Sequence, residues 1–121
     1  MDKAGKGYHK LLVWQRAREL VKLLYLYTEI FPQAEEFGLK GQMRRAAVSV
    51  VLNIVEGYRR KSIKDYLHFL TIADGSLSEL EAALELCLDL TFLKQHDYDL
   101  LEQKRSEVGY LLFKLIQGLN K

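Results

Sequence analysis

The chain has 121 residues, 49% of them apolar and 28% charged, and a formal net charge of +2. That length and balance exclude a disordered chain and fit one globular domain, residues 1–121, able to bury a core without staples. The single cysteine, Cys87, excludes an intramolecular disulfide and a cysteine-based zinc cluster.

Residues 1–10, "MDKAGKGYHK", hold no apolar signal core and read as a flexible basic arm carrying Lys3, Lys6 and Lys10. No apolar run approaches the roughly 18 residues of a membrane span, so a soluble, cytoplasmic protein is expected. A first helix is predicted over 12–30, where Val13, Ala17, Leu20, Val21, Leu24 and Thr28 share a face with Trp14 and Tyr25. Phe31, ahead of the only proline, Pro32, is pushed out of the helical region and ends it.

A second helix is predicted over 40–60. At 100° per residue, Gln42, Arg45, Ser49, Asn53, Glu56 and Arg60 fall on one narrow strip. Most of the remaining circumference is apolar, more than a bundle helix needs for its own core. The excess, with the small residues Ala46, Ala47, Ser49 and Gly57, predicts a second subunit against this helix, and Val50→Asp is expected to abolish assembly. The polar strip has three readings: a solvated edge, a hydrogen-bonded network around Glu56 and Asn53 at a subunit contact, or a lining that offers guanidinium groups to phosphate.

Ser62 with Asp65 reads as a capping pair opening a third helix over 63–91. Tyr66, Phe69, Ala73, Leu77, Leu80, Leu84, Cys87 and Leu88 form its apolar face, and Gly75-Ser76 suggests close helix packing. Asp97 is the expected cap of a fourth helix over 97–119, with Leu101, Val108, Leu111, Leu112, Leu115 and Leu119 inward. Strand alternation and hairpin signals are absent, so the fold class is all-α: an antiparallel up-and-down four-helix bundle.

Charge is unevenly spread. Residues 56–64 carry a net +3 and residues 65–99 a net −7, an asymmetry that suggests complementary surfaces. His9, His68 and His96 lie in separate segments without ligand spacing, and Cys87 sits on an apolar face. No phosphate-binding glycine loop or calcium loop is complete, so no catalytic, metal or cofactor site is expected and the chain does not read as an enzyme. The basic candidates for nucleic acid or a partner are Lys3, Lys6, Lys10, Arg44, Arg45, Arg59, Arg60, Lys61 and Lys64, with Tyr8 and Tyr58 near enough to stack on bases. Against that stands the reading that Arg44 and Arg45 pair with third-helix carboxylates while the lysines only solubilise the surface.

The segments "VWQRARELV", "FPQAEEFGL", "QMRRAAVSVVLNIVEGYRR" and "YLHFLTIADGSLSELE" together resemble the four-helix bundle family named after the protein encoded in intervening sequences of bacterial 23S ribosomal RNA genes. The resemblance implies a helical subunit in a ring-shaped homo-oligomer, a pentamer. It also implies a relation to the accessory proteins of diversity-generating retroelements, which partner a reverse transcriptase and contact nucleic acid through a basic surface. The chain departs from the family pattern at Val51, Leu52 and Val55, so a proline kink in the second helix is not expected, and at Lys40, which cannot cap it. Two functions follow as expectations: a non-enzymatic accessory or scaffold oligomer that binds nucleic acid or a nucleic-acid enzyme, or a protein-only assembly module.

Overall fold

The computed structural model describes residues 7–36 and 38–121. Four helices fill it: α1 (Leu12–Thr28), α2 (Leu39–Tyr58), α3 (Ile63–Asp89) and α4 (Gln95–Leu119). Successive helices pack on one another and α4 packs back on α1, which gives the antiparallel up-and-down bundle expected from four amphipathic helices with short links. No strand occurs among the described residues, and no helix there is long and apolar enough to cross a membrane.

Each helix end has a local cause. The Thr28 hydroxyl donates back to the Leu24 carbonyl at 2.7 Å, and α1 stops there, two residues short of the expected Ile30. The start of α2 lacks a capping side chain on its own first turn, since Lys40 cannot accept. Glu35 Oε1 instead accepts from the Leu39 amide at 3.0 Å, and Lys40 is buried with its Nζ 3.0 Å from Glu36 Oε2. With Val51 in place of a proline, α2 runs unbroken to Tyr58.

Ser62 caps α3 as expected, accepting from the Asp65 amide at 3.1 Å. At its other end Phe92 N–H donates to the Cys87 carbonyl and Thr91 N–H to the Leu88 carbonyl, a Schellman closure with Thr91 at φ 62°. The expected Asp97 cap is a correction: α4 begins at Gln95, and Asp97 lies in its first turn, where its charge favours the positive helix end.

Leu20, Leu24, Met43, Ile54, Leu70, Leu80, Leu84, Leu101 and Leu112 are fully buried, each contributing about 1.5–3 kcal/mol by leaving water. The buried arc of α3 is broader than expected. It adds Leu70, Ser76 and Ala83, while Tyr66, Phe69 and Leu88 sit at its edges, because α3 packs on α2 as well as on α4. Residues 7–10 also differ from the expected arm: they form a short 3-10 turn packed against the start of α1 and the end of α2.

Candidate functional site

Helix α2 lies between α1 and α3, and its sides do different work. Met43, Ala47, Val50 and Ile54 face the core, with Val50 and Ile54 wholly enclosed. Val50 therefore belongs to this subunit's own core, and it is not the residue available to a second subunit. The apolar groups left outward are Leu52, 61% exposed, with Val48 and Val55 partly covered and Tyr25 of α1 beside them.

The polar strip divides into parts. Ser49 accepts from Ser76 of α3 at 2.9 Å, and Asn53 Nδ2 donates to the Ser49 carbonyl at 2.8 Å and to its hydroxyl at 3.0 Å. These groups join α2 to α3 within one subunit. One turn on, Gly57 lets α3 pack tightly on α2: a Cβ there would stand 3.0 Å from Tyr66 Cδ1 and 3.1 Å from Phe69 Cβ. Gly75, expected to serve this close packing, faces open space. Gln42 and Arg45 are exposed, and Arg45 has no ion-pair partner among the described residues.

Arg44 is turned toward α1. Its Nε donates to Thr28 Oγ1 at 2.9 Å, its Nη2 donates to the Tyr25 carbonyl at 3.0 Å and reaches Glu29 at 3.3 Å, and its guanidinium lies 4.2 Å over the Tyr25 ring. The expected pairing with α3 carboxylates is corrected by this contact. Arg44 fastens α1 to α2. One carboxylate of α3, Glu81, finds a different partner: Arg105 of α4, 3.2 Å away, which is also bonded to Glu102 of its own helix and raised in pKa chiefly by that Glu102 hydrogen bond.

The remaining cations gather at the end of the bundle where α2 turns into α3. The connection from Arg59 to Ser62 is short because Arg60 N–H already donates to Gly57 O, and Ser62 then opens the next helix. It leaves Arg59, Arg60, Lys61 and Lys64 exposed together. Arg60 pairs with Glu56 and lies 4.8 Å over Phe69. Arg59 lies 5.4 Å over the ring of Tyr8, in the 3-10 turn that also carries exposed Lys10. Tyr8 stacks on His9 at 4.0 Å, both rings meet Trp14 edge-on, and Arg18 lies 5.4 Å over Trp14.

Lys10, Arg59, Lys61 and Lys64 have no ion-pair partner among the described residues. Lys3 and Lys6 lie outside the described residues. Sequence reasoning missed His9, Trp14 and Arg18, which reach this end only because antiparallel packing brings the start of α1 beside the end of α2. The sole signal was the aromatic-basic composition of residues 8–18. Burial pushes the Cys87 thiol up to about 11, and its sulfur rests 3.7 Å from that of Met43, so it acts as a core group. Among the described residues no group of three or more His, Cys, Asp or Glu could hold a metal ion.

A family model described as 23S rRNA-intervening sequence protein matches residues 9–114. Seven solved chains are similar to this one. One is a crystal structure at 1.70 Å resolution of a protein of unknown function from the S23 ribosomal protein family of Bacteroides thetaiotaomicron VPI-5482. It is 26% identical with a TM-score of 0.78, over 87% of this chain and 98% of that one. No curated protein matches.

Proposed function

This chain belongs to the 23S rRNA-intervening sequence protein family, and from that premise we propose that it is a non-enzymatic, cytoplasmic accessory protein that assembles with itself and binds nucleic acid through the basic end of its bundle. The observation that carries the reading is the gathering of Lys10, Arg59, Lys61 and Lys64, exposed and without carboxylate partners among the described residues, at one end of a rigid scaffold. The carboxyl ends of α2 and α4 share that end with the amino ends of α1 and α3, so the helix dipoles offset one another and the charge there is that of the side chains. Phosphate affinity rises with the number of such contacts, so repeating the patch in an oligomer strengthens it.

Self-assembly is supported by Leu52, Val48, Val55 and Tyr25, an outward apolar strip that monomers rarely leave bare. The family resemblance adds the expected form, a pentameric ring, and the expected kind of protein partner, an enzyme of nucleic acid such as a reverse transcriptase. A salt titration of binding to RNA and DNA tests the reading. Binding at low salt should weaken steeply as salt rises, and the triple change Arg59→Ala, Lys61→Ala, Lys64→Ala should flatten that slope. No binding at low salt, or binding indifferent to the triple change, refutes it.

The second reading, a protein-only assembly module, draws on Arg60: its pairing with Glu56 shows that part of the basic turn is neutralised within the subunit. It predicts that the same triple change shifts the oligomer measured by light scattering and leaves no nucleic-acid binding to lose.

A further inference from the structure

The cations of the basic end and its aromatic rings stand in different relations to the solvent. Tyr8 is stacked on His9 with Arg59 over the ring, and Trp14 meets both rings edge-on beneath Arg18. Tyr58 packs edge-on against Tyr66 at 6.2 Å, and Phe69 lies under Arg60. Each of these rings already has a ring or a guanidinium of its own subunit as neighbour. Base stacking needs a free aromatic face, and opening this cluster would forfeit its internal contacts.

The lysines differ. Lys10, Lys61 and Lys64 are exposed, with neither ring nor carboxylate against them among the described residues. An ammonium is a hydrated point charge that pairs with a phosphate oxygen without demanding a planar geometry, so it reports charge and little of sequence.

We infer that the basic end takes the phosphate backbone of nucleic acid and leaves the bases unread, binding single strands, duplexes and base-free strands by the same contacts. This rests on the nucleic-acid reading above and narrows its ligand class to the sugar-phosphate chain. The expectation that Tyr8 and Tyr58 stack on bases is replaced by a role for those rings in holding the end rigid.

The test compares three probes of equal length on the full chain: an oligothymidine strand, an abasic strand and a duplex, with inorganic polyphosphate as competitor. The abasic strand should bind within about twofold of oligothymidine, because a stacked base would supply about tenfold or more by itself. Emission from Trp14, the only tryptophan, should change equally with both strands. Lys61→Ala and Lys64→Ala, at exposed positions where folding is not threatened, should lower the salt slope alike on every probe, and polyphosphate should displace all three.

A tenfold preference for oligothymidine, with Trp14 quenched by that strand alone, overturns the inference while the nucleic-acid reading stands. Failure of polyphosphate to compete also overturns it. Absence of binding to every probe at low salt overturns both.

Discussion

Arg44 lies in α2 and Arg59 caps its carboxyl end; each carries one charge and borders an aromatic ring, yet they are held very differently. The Arg44 side chain is only 16% exposed and is fixed by Thr28, the Tyr25 carbonyl and Glu29. Arg59 lies over the face of Tyr8 and, among the described residues, its exposed guanidinium has neither a hydrogen bond nor an ion pair. The same contrast runs along α2: Val50 against Leu52, and Gly57 against the outward Gly75 of α3. Groups turned into the bundle are satisfied there, whereas groups turned outward or placed at the α2–α3 end remain available. A basic residue therefore marks a docking surface only once the contacts of its own subunit are known.

The largest break in that contrast is at the core. Val50 is fully enclosed, so Val50→Asp buries a charge with no partner and should unfold the subunit, a cost of about 3–5 kcal/mol or more. Leu52→Asp, two residues on but exposed, should keep the melting temperature of the subunit within a few degrees and act on assembly alone. Circular dichroism with light scattering separates the two outcomes. If Leu52→Asp unfolds the protein, the outward assignment of this side is wrong.

Next comes the seam between α2 and α3. A methyl at Gly57 must displace Tyr66 and Phe69, and Gly57→Ala should cost about 1–3 kcal/mol in denaturant unfolding. Gly75→Ala meets nothing and should stabilise α3 by about 0.5–1 kcal/mol through helix propensity. Equal effects at the two glycines would show that α3 does not crowd Gly57.

Much of this was legible in the sequence. The four helices fall within two residues of their expected bounds because hydrophobic period, Pro32 and the Ser62–Asp65 pair are local signals. Glu56–Arg60 was legible for the same reason, being one turn apart. What escaped depends on distant residues. Lys40 is buried through Glu36 and the fold of the preceding turn, Glu35 caps α2 from outside the helix, and Arg44 finds Thr28 across 16 positions. The angular count gave α2 an excess of apolar surface, but it could not say that Val50 faces inward and Leu52 outward, since that depends on how α1 and α3 flank the helix. At the basic end the cations of the turn, Lys10 and Tyr8 were visible, and their neighbours His9, Trp14 and Arg18 were not.

The smallest effect sharpens the opening contrast most directly. Arg44→Ala removes the donors to Thr28 Oγ1 and the Tyr25 carbonyl and uncovers the Tyr25 ring, which should cost about 1–2 kcal/mol. The Thr28 hydroxyl keeps its bond to the Leu24 carbonyl, so the loss stays below that of a fully orphaned buried group. Arg59→Ala gives up one cation–ring contact at an exposed position and should change stability by less than about 0.5 kcal/mol. Its effect belongs to binding: a weaker salt dependence on nucleic acid, where Arg44→Ala leaves that slope unchanged once the protein is folded. Urea unfolding and salt titration of both variants thus form a crossed pair. An Arg44→Ala protein that folds normally but loses the salt slope would reverse the roles given to the two arginines.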